Sequence, residues 1–196
     1  YKDSDLVLEV SKNVNPVVWD EGFFQNFFDM LFGKRNYQKE AAETALRFLN
    51  SGEYKDITAL AKENFEKNPV IRAIWNNDFN LMQDDLDLSD KLSATLDLAT
   101  GTGKSYVMFA IALVMLATKK VSRVLVLVPS VTIESELTQK FKDLLGNQQL
   151  LKTLGDNFVP PQLLNGDSTL VENSIAIENR NAIYKAQSAS NSTVDS

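Results

Sequence analysis

Eight consecutive residues, Leu98-Ala99-Thr100-Gly101-Thr102-Gly103-Lys104-Ser105, hold the densest chemistry in the chain. Binding a triphosphate requires inward-turned backbone N–H groups, the positive end of a helix, a cation and a hydroxyl for magnesium. Gly101 and Gly103 permit the backbone angles and the close phosphate approach that such a loop needs. Lys104 is placed to reach the β- and γ-phosphates, and Ser105 to set its hydroxyl on Mg²⁺. The strict form of the loop has Gly six residues before the Lys, where this chain has Leu98, so the match is relaxed. Phosphate binding is the expectation; a chance Gly-rich turn is the alternative.

Hydrolysis needs a second part, a strand-end carboxylate holding Mg²⁺ beside an acid for the attacking water. Val17-Val18-Trp19-Asp20-Glu21 lies upstream of the loop, against the usual chain order, and Asp20 is better used as a helix cap. Ile175-Ala176-Ile177-Glu178 offers Glu instead of Asp and has no second acid. The hydrolytic pair is therefore expected to be missing from these residues.

The composition narrows the alternatives. With 196 residues the chain suits one domain with an appended piece, and it is long enough to bury a substantial core. Apolar residues at 44% and charged residues at 23% argue against wholesale disorder. No cysteine and no histidine occur, which removes disulfides, thiol nucleophiles, zinc fingers and His-dependent triads together. The absence of cysteine fits a reducing interior. The N-terminus has no signal-peptide pattern, and the longest apolar run, Tyr106 to Ala117, is too short to span a bilayer. A cytoplasmic setting with no membrane partner is expected. The net charge of −6 argues against strong non-specific nucleic-acid binding through bulk charge, while leaving room for a local basic groove. The first residue is not Met, which points to an excerpt or a processed product.

The elements that must position the loop follow from periodicity. Leu6–Val10 alternates like a short strand, and Phe23, Phe24, Phe27, Phe28, Leu31 and Phe32 recur at helical spacing behind Asp20 as N-cap. A core-facing helix is the expectation for that stripe; an aromatic stacking platform is the alternative. Gly33 ends it, and Asn36 caps a helix over 37–49. A further helix is predicted over 54–66, stopped by Asn68-Pro69. The acidic stretch 84–90 lacks the Gly and Glu of a calcium loop and reads as a solvated linker. Leu92–Ala99 reads as a strand with Asp97 as an unusual guest, followed by the loop and a nearly all-round apolar helix from Lys104 to about Thr118. The apolar run within 121–128 reads as a strand covered on both faces, Val131–Leu145 as an amphipathic helix, and Ser174–Ile177 as a strand continuing the sheet. Residues 146–170 and 186–196 read as loops. Strand, helix, strand, helix implies an α/β fold with a parallel sheet, preceded by a helical N-terminal segment.

Several of these segments resemble one family. Leu98–Ser105 resembles motif I of superfamily 2 helicases, in the restriction-enzyme style that replaces the first Gly. Arg35-Asn36-Tyr37-Gln38-Lys39-Glu40-Ala41 resembles the upstream Arg-x-Tyr-Gln element of that group. Val124–Ser130, continuing through Thr132, Ile133, Glu134, Leu137, Thr138, Lys140 and Phe141, is similar to motif Ia of type III restriction subunits. Glu178–Tyr184 looks like the segment that precedes their Asp-Glu-Ala-His box. The resemblance covers roughly 35–196 and is most specific between 92 and 145.

The resemblance implies a RecA-like P-loop domain over 34–196, with 1–33 as an accessory segment and the Asp-Glu box absent. It implies the first motor domain of an ATP-dependent DNA helicase or translocase, in restriction or phage defence, using ATP and Mg²⁺. Thr100, Gly101, Thr102, Gly103, Lys104 and Ser105 would hold the nucleotide, with Lys104 also the catalytic cation and Ser105 the metal ligand. Gln38 would contact the adenine edge, since an amide pairs a donor and an acceptor. Pro129, Ser130 and Thr132 would touch the phosphates of a tracked strand. The implied partners are double-stranded DNA, held weakly by this piece, a second RecA-like domain, and methyltransferase or other defence subunits. Without the second domain, the piece is expected to be inactive alone. Two readings from other classes stay open, another P-loop enzyme such as a small-molecule kinase and a non-catalytic RecA-like interaction module.

Overall fold

The computed structural model describes residues 6–164 and 171–179. Helices α1 (Gln25–Phe32), α2 (Asn36–Asn50), α3 (Ile57–Lys67), α4 (Pro69–Ile74) and α5 (Phe79–Asp85) come first. Then follow α6 (Lys104–Ala117), β1 (Arg123–Val128), α7 (Val131–Leu145), α8 (Gln148–Lys152), β2 (Gln162–Leu164) and β3 (Ser174–Asn179). The described residues fall into two compact units, 6–21 with 40–99, and 22–39 with 100–179.

The first unit is helical. Asp56 starts α3 by accepting from the Ala59 amide at 2.7 Å, so the helix begins at Ile57, three residues later than its apolar pattern predicts. Asn68-Pro69 does stop α3, and it also starts α4, because the Asn68 side chain accepts from the amides of Val70 and Ile71. Asp78 caps α5, which takes in Asp84 and Asp85 from the acidic stretch. Ala61, Phe65, Ile71, Trp75 and Met82 form one buried cluster, and Phe48, Tyr54 and Leu60 another.

Two expected strands are absent from this unit. Leu6–Val10 joins no ladder, and both backbone groups of Glu9 are taken by the side chain of Asn64, at 2.8 and 2.9 Å. Leu92–Ala99 likewise carries no strand, and Ser93–Asp97 is exposed. The Lys91 carbonyl accepts from the Ile57 amide, and Leu92 packs against the Phe48–Tyr54–Leu60 cluster, so the segment is tied to α3 and not to the sheet. Val17 and Val18 lie in an exposed turn, and Glu21 is engaged by Arg47, so this stretch is no strand-end acid pair.

The second unit is α/β. Its three-stranded sheet has the order β1-β3-β2 and is parallel throughout, with Arg123 opposite Ser174 and Gln162 opposite the same residue. Ser174–Ile177 is buried at the centre of the sheet. The run in β1 is covered on one face only: Val126 and Val128 are buried, while Leu125 and Leu127 are about half exposed. An unbroken apolar run does not distinguish these cases, and α6 and α7 both pack on the strand. The helix α6 is buried over most of its surface from Val107 to Leu116, and Phe109 meets Phe141 of α7 edge-to-face at 5.1 Å.

The Phe stripe is core. Phe24, Phe27, Phe28, Leu31 and Phe32 are buried, and α1 packs on α6 and α8. Asp20 does not cap α1, because a single 3₁₀ turn over Gly22–Phe24 intervenes and makes Phe24 the flanking residue. Within 146–164, predicted as loop, lie α8, capped by Asn147, and the short β2. No helix of the described residues is long and apolar enough to cross a membrane.

Candidate nucleotide-binding site

Most helices here start with a side chain that satisfies a first-turn amide. Asp56, Asn68, Asp78, Ser130 and Asn147 do this for α3, α4, α5, α7 and α8. The starts of α1 and α6 have no such side chain, and that of α6 lies in a glycine turn. Its flanking residue is Gly103, in the left-handed region at φ 78°, and no side chain caps it. Gly101 has φ 79°, so the turn ahead of α6 has two positions that favour glycine. A buried apolar helix thus begins at a glycine turn with no side-chain cap, with Lys104 exposed at its first position.

Ser105 is half-buried and lines a cleft of about 340 Å³ with Ile133, Glu136, Leu137 and Lys140 of α7. Tyr106, the next residue, has the Arg35 guanidinium 5.5 Å and the Lys140 ammonium 4.2 Å from its ring centroid. Lys39 pairs with Asp29 of α1 at 2.5 Å, fixing the start of α2.

The structure brings the Arg35–Gln38 element to this loop. The Tyr37 hydroxyl donates to the Thr102 carbonyl at 3.2 Å, and Gln38 Nε2 donates to the same oxygen. Gln38 is only 1% exposed, and its Oε1 is buried without a hydrogen-bond partner among the described residues. Thr100 and Gly101 are exposed, and Thr102 is half-buried.

The three residues expected to meet a nucleic-acid strand sit together where β1 ends and α7 begins. Pro129 and Thr132 are exposed, and Ser130 caps α7 through its Oγ, which accepts from the Ile133 amide at 3.4 Å. In a parallel sheet, ligands gather at the carboxyl ends of the strands. Glu178, half-buried near the end of β3, stands at that same edge. The Arg180–Tyr184 part of the resemblance lies outside the described residues.

Sequence reasoning gave no role to Tyr37, Tyr106 or Lys140. Tyr106 directly follows the loop hydroxyl, and that adjacency was the available signal.

No curated protein and no solved structure matches the chain. Residues 31–195 match the family described as Type III restriction enzyme, res subunit. That family's domain is a helicase-type, ATP-binding one, in keeping with an α/β unit whose glycine turn opens a buried helix. With the match running over most of its length, the chain belongs to the type III restriction enzyme res subunit family.

Proposed function

We propose that this chain is the ATP-binding part of the first motor domain of an ATP-dependent DNA helicase or translocase acting in restriction or phage defence. The observation that carries the reading is the glycine-flanked, uncapped start of α6 with Lys104 at its first position. The residues fit a magnesium-bound nucleoside triphosphate. Thr100–Gly103 offers backbone N–H groups, Lys104 a cation for the β- and γ-phosphates, and Ser105 a hydroxyl for the metal. When bound, the metal supplies Lewis-acid stabilisation of phosphoryl charge. Gln38, the residue expected at the adenine edge, would have to expose its buried Oε1 to meet the exocyclic amine.

Pro129, Ser130 and Thr132 form the contact to a strand of double-stranded DNA. They act through a hydroxyl proton, backbone groups and shape, and the net charge of −6 keeps that contact weak and salt-sensitive. On this reading 34–196 belongs to the motor domain and 1–33 is accessory. A second RecA-like domain supplies the arginine that stabilises transferring charge, and methyltransferase or other defence subunits complete the assembly.

Phosphoryl transfer to water also needs a strand-end acid pair, and 1–196 has no convincing one. The 196-residue chain therefore binds ATP weakly and turns it over negligibly, with or without DNA, whereas a longer parent carrying the second domain shows DNA-stimulated ATPase activity. Steady-state ATPase assays on both test this. Robust turnover by residues 1–196, abolished by Glu178→Gln, would place the catalytic acid at the end of β3 and contradict the incomplete-motor reading.

A further inference from the structure

We propose that Gln38 is a positioning residue for the phosphate loop, holding the Thr102 carbonyl so that the loop is set for phosphate whether or not a base is present. This rests on the reading of Thr100–Ser105 as a phosphate loop.

The Gln38 side chain is buried, not displayed, and its Nε2 and the Tyr37 hydroxyl converge on one oxygen, the carbonyl of Thr102. That carbonyl can only accept, so the carboxamide must present its nitrogen there. Oε1 is then left buried and unpartnered among the described residues. An orphaned acceptor destabilises a fold, and an apolar side chain of the same size would serve the core better. The amide stays at the expense of stability, and the group it serves belongs to the loop.

Its effect on the loop follows from peptide geometry. Thr102 stands between Gly101 and Gly103, both in the left-handed region. A β-carbon on Gly103 would collide with Gln38 Nε2, so the amide also packs against the next residue of the turn. In a planar trans peptide, C=O and N–H point in opposite directions. Holding the Thr102 carbonyl toward Gln38 therefore aims the Gly103 N–H away from it. Gln38 thus orients a peptide of the loop that would hold the phosphates.

Tripolyphosphate separates this role from base reading, because it has phosphates and no base. The measurement is titration of wild type, Gln38→Met, Gln38→Glu and Lys104→Ala with magnesium tripolyphosphate, alongside thermal melts. Met matches the volume of Gln and removes both polar atoms. Gln38→Met is expected to bind tripolyphosphate about tenfold more weakly, the worth of one hydrogen bond, while melting at or above wild type. Gln38→Glu, whose carboxylate can only accept, is expected to bind more weakly still. Wild-type tripolyphosphate affinity in Gln38→Met overturns the proposal. So does a Gln38→Met protein that melts well below wild type and loses binding only in proportion, which would assign Gln38 to the core. Unchanged affinity in Lys104→Ala would remove the phosphate-loop reading itself, and this inference with it. Loss in Lys104→Ala beside unchanged binding in Gln38→Met removes this inference alone.

Discussion

The carboxylate of Glu134, in the first turn of α7, accepts a hydrogen bond from the backbone N–H of Asn179 at 3.0 Å and a second from the Asn179 side chain. Asn179 is the last residue of β3, and its sheet partner is Val128, the last of β1. One side chain therefore ties the start of the helix after β1 to the end of the neighbouring strand. That edge carries Pro129, Ser130, Thr132 and Glu178.

Glu134→Ala leaves the Asn179 amides without this acceptor and is expected to cost about 1.5–3 kcal/mol, the range for hydrogen bonds to a charged group. Glu134→Gln keeps one oxygen acceptor and recovers part of that loss. Urea denaturation of the three proteins checks the order; equal midpoints would mean that the tie contributes nothing.

A second expectation concerns acid. Burial works to raise the Glu21 carboxyl, but the hydrogen bond and charge of Arg47, helped by Trp19 and Lys12, hold it below its ordinary value. A depressed folded value means the carboxylate form is favoured by folding. Its stabilisation is present above the ordinary carboxylate range and is lost as pH falls through the folded value. Melting temperature is expected to drop below about pH 4.5, the ordinary value for Glu, and Glu21→Gln to flatten that limb. Parallel limbs in both proteins would count against the pair as a source of stability.

Tyr54 gives the opposite sign. Burial is the largest cause, and the phenol is pushed up to about 12. The folded state then retains the proton longer than the unfolded chain, so this contribution is full below the ordinary value of 10 and fades as pH rises toward 12. Spectrophotometric titration should find one tyrosine ionising late in wild type and absent in Tyr54→Phe. A titration in which all tyrosines ionise together near 10 would contradict it.

The edge-to-face pair Phe109–Phe141 joins α6 to α7 in the core. Phe109→Ala is expected to cost about 3–5 kcal/mol, a large part of a typical domain's stability, and to loosen the helix that starts at the loop. Denaturant midpoints measure it; a loss below about 1 kcal/mol would mean that the site collapses around the void.

What could be read from the sequence was local. The bounds of α7 were legible because its amphipathic pattern runs from Val131 to Leu145 behind Pro129, and the apolar all-round pattern marked α6 as buried. Leu92–Ala99 misled because alternation at Leu92, Ala94, Leu96 and Leu98 describes a strand only if a neighbour pairs with it, and Leu92 is instead drawn to Phe48, Tyr54 and Leu60. β2 was hidden by its three-residue length. The approach of Gln38 to Thr102 spans 64 positions, and no local pattern encodes it. The resemblance placed both residues near one nucleotide but did not suggest that one holds the other.

Nucleotide binding by the Thr100–Ser105 loop is measured by a fluorescent-ATP titration, in magnesium, of wild type against Lys104→Ala. Lys104 sits at the first position of α6, directly after the glycine turn that carries no side-chain cap. Saturable binding by wild type is expected, with a strong loss of affinity, tenfold or more, in the variant. Equal affinity in the two proteins would contradict the assignment of Thr100–Ser105 as the phosphate-binding loop.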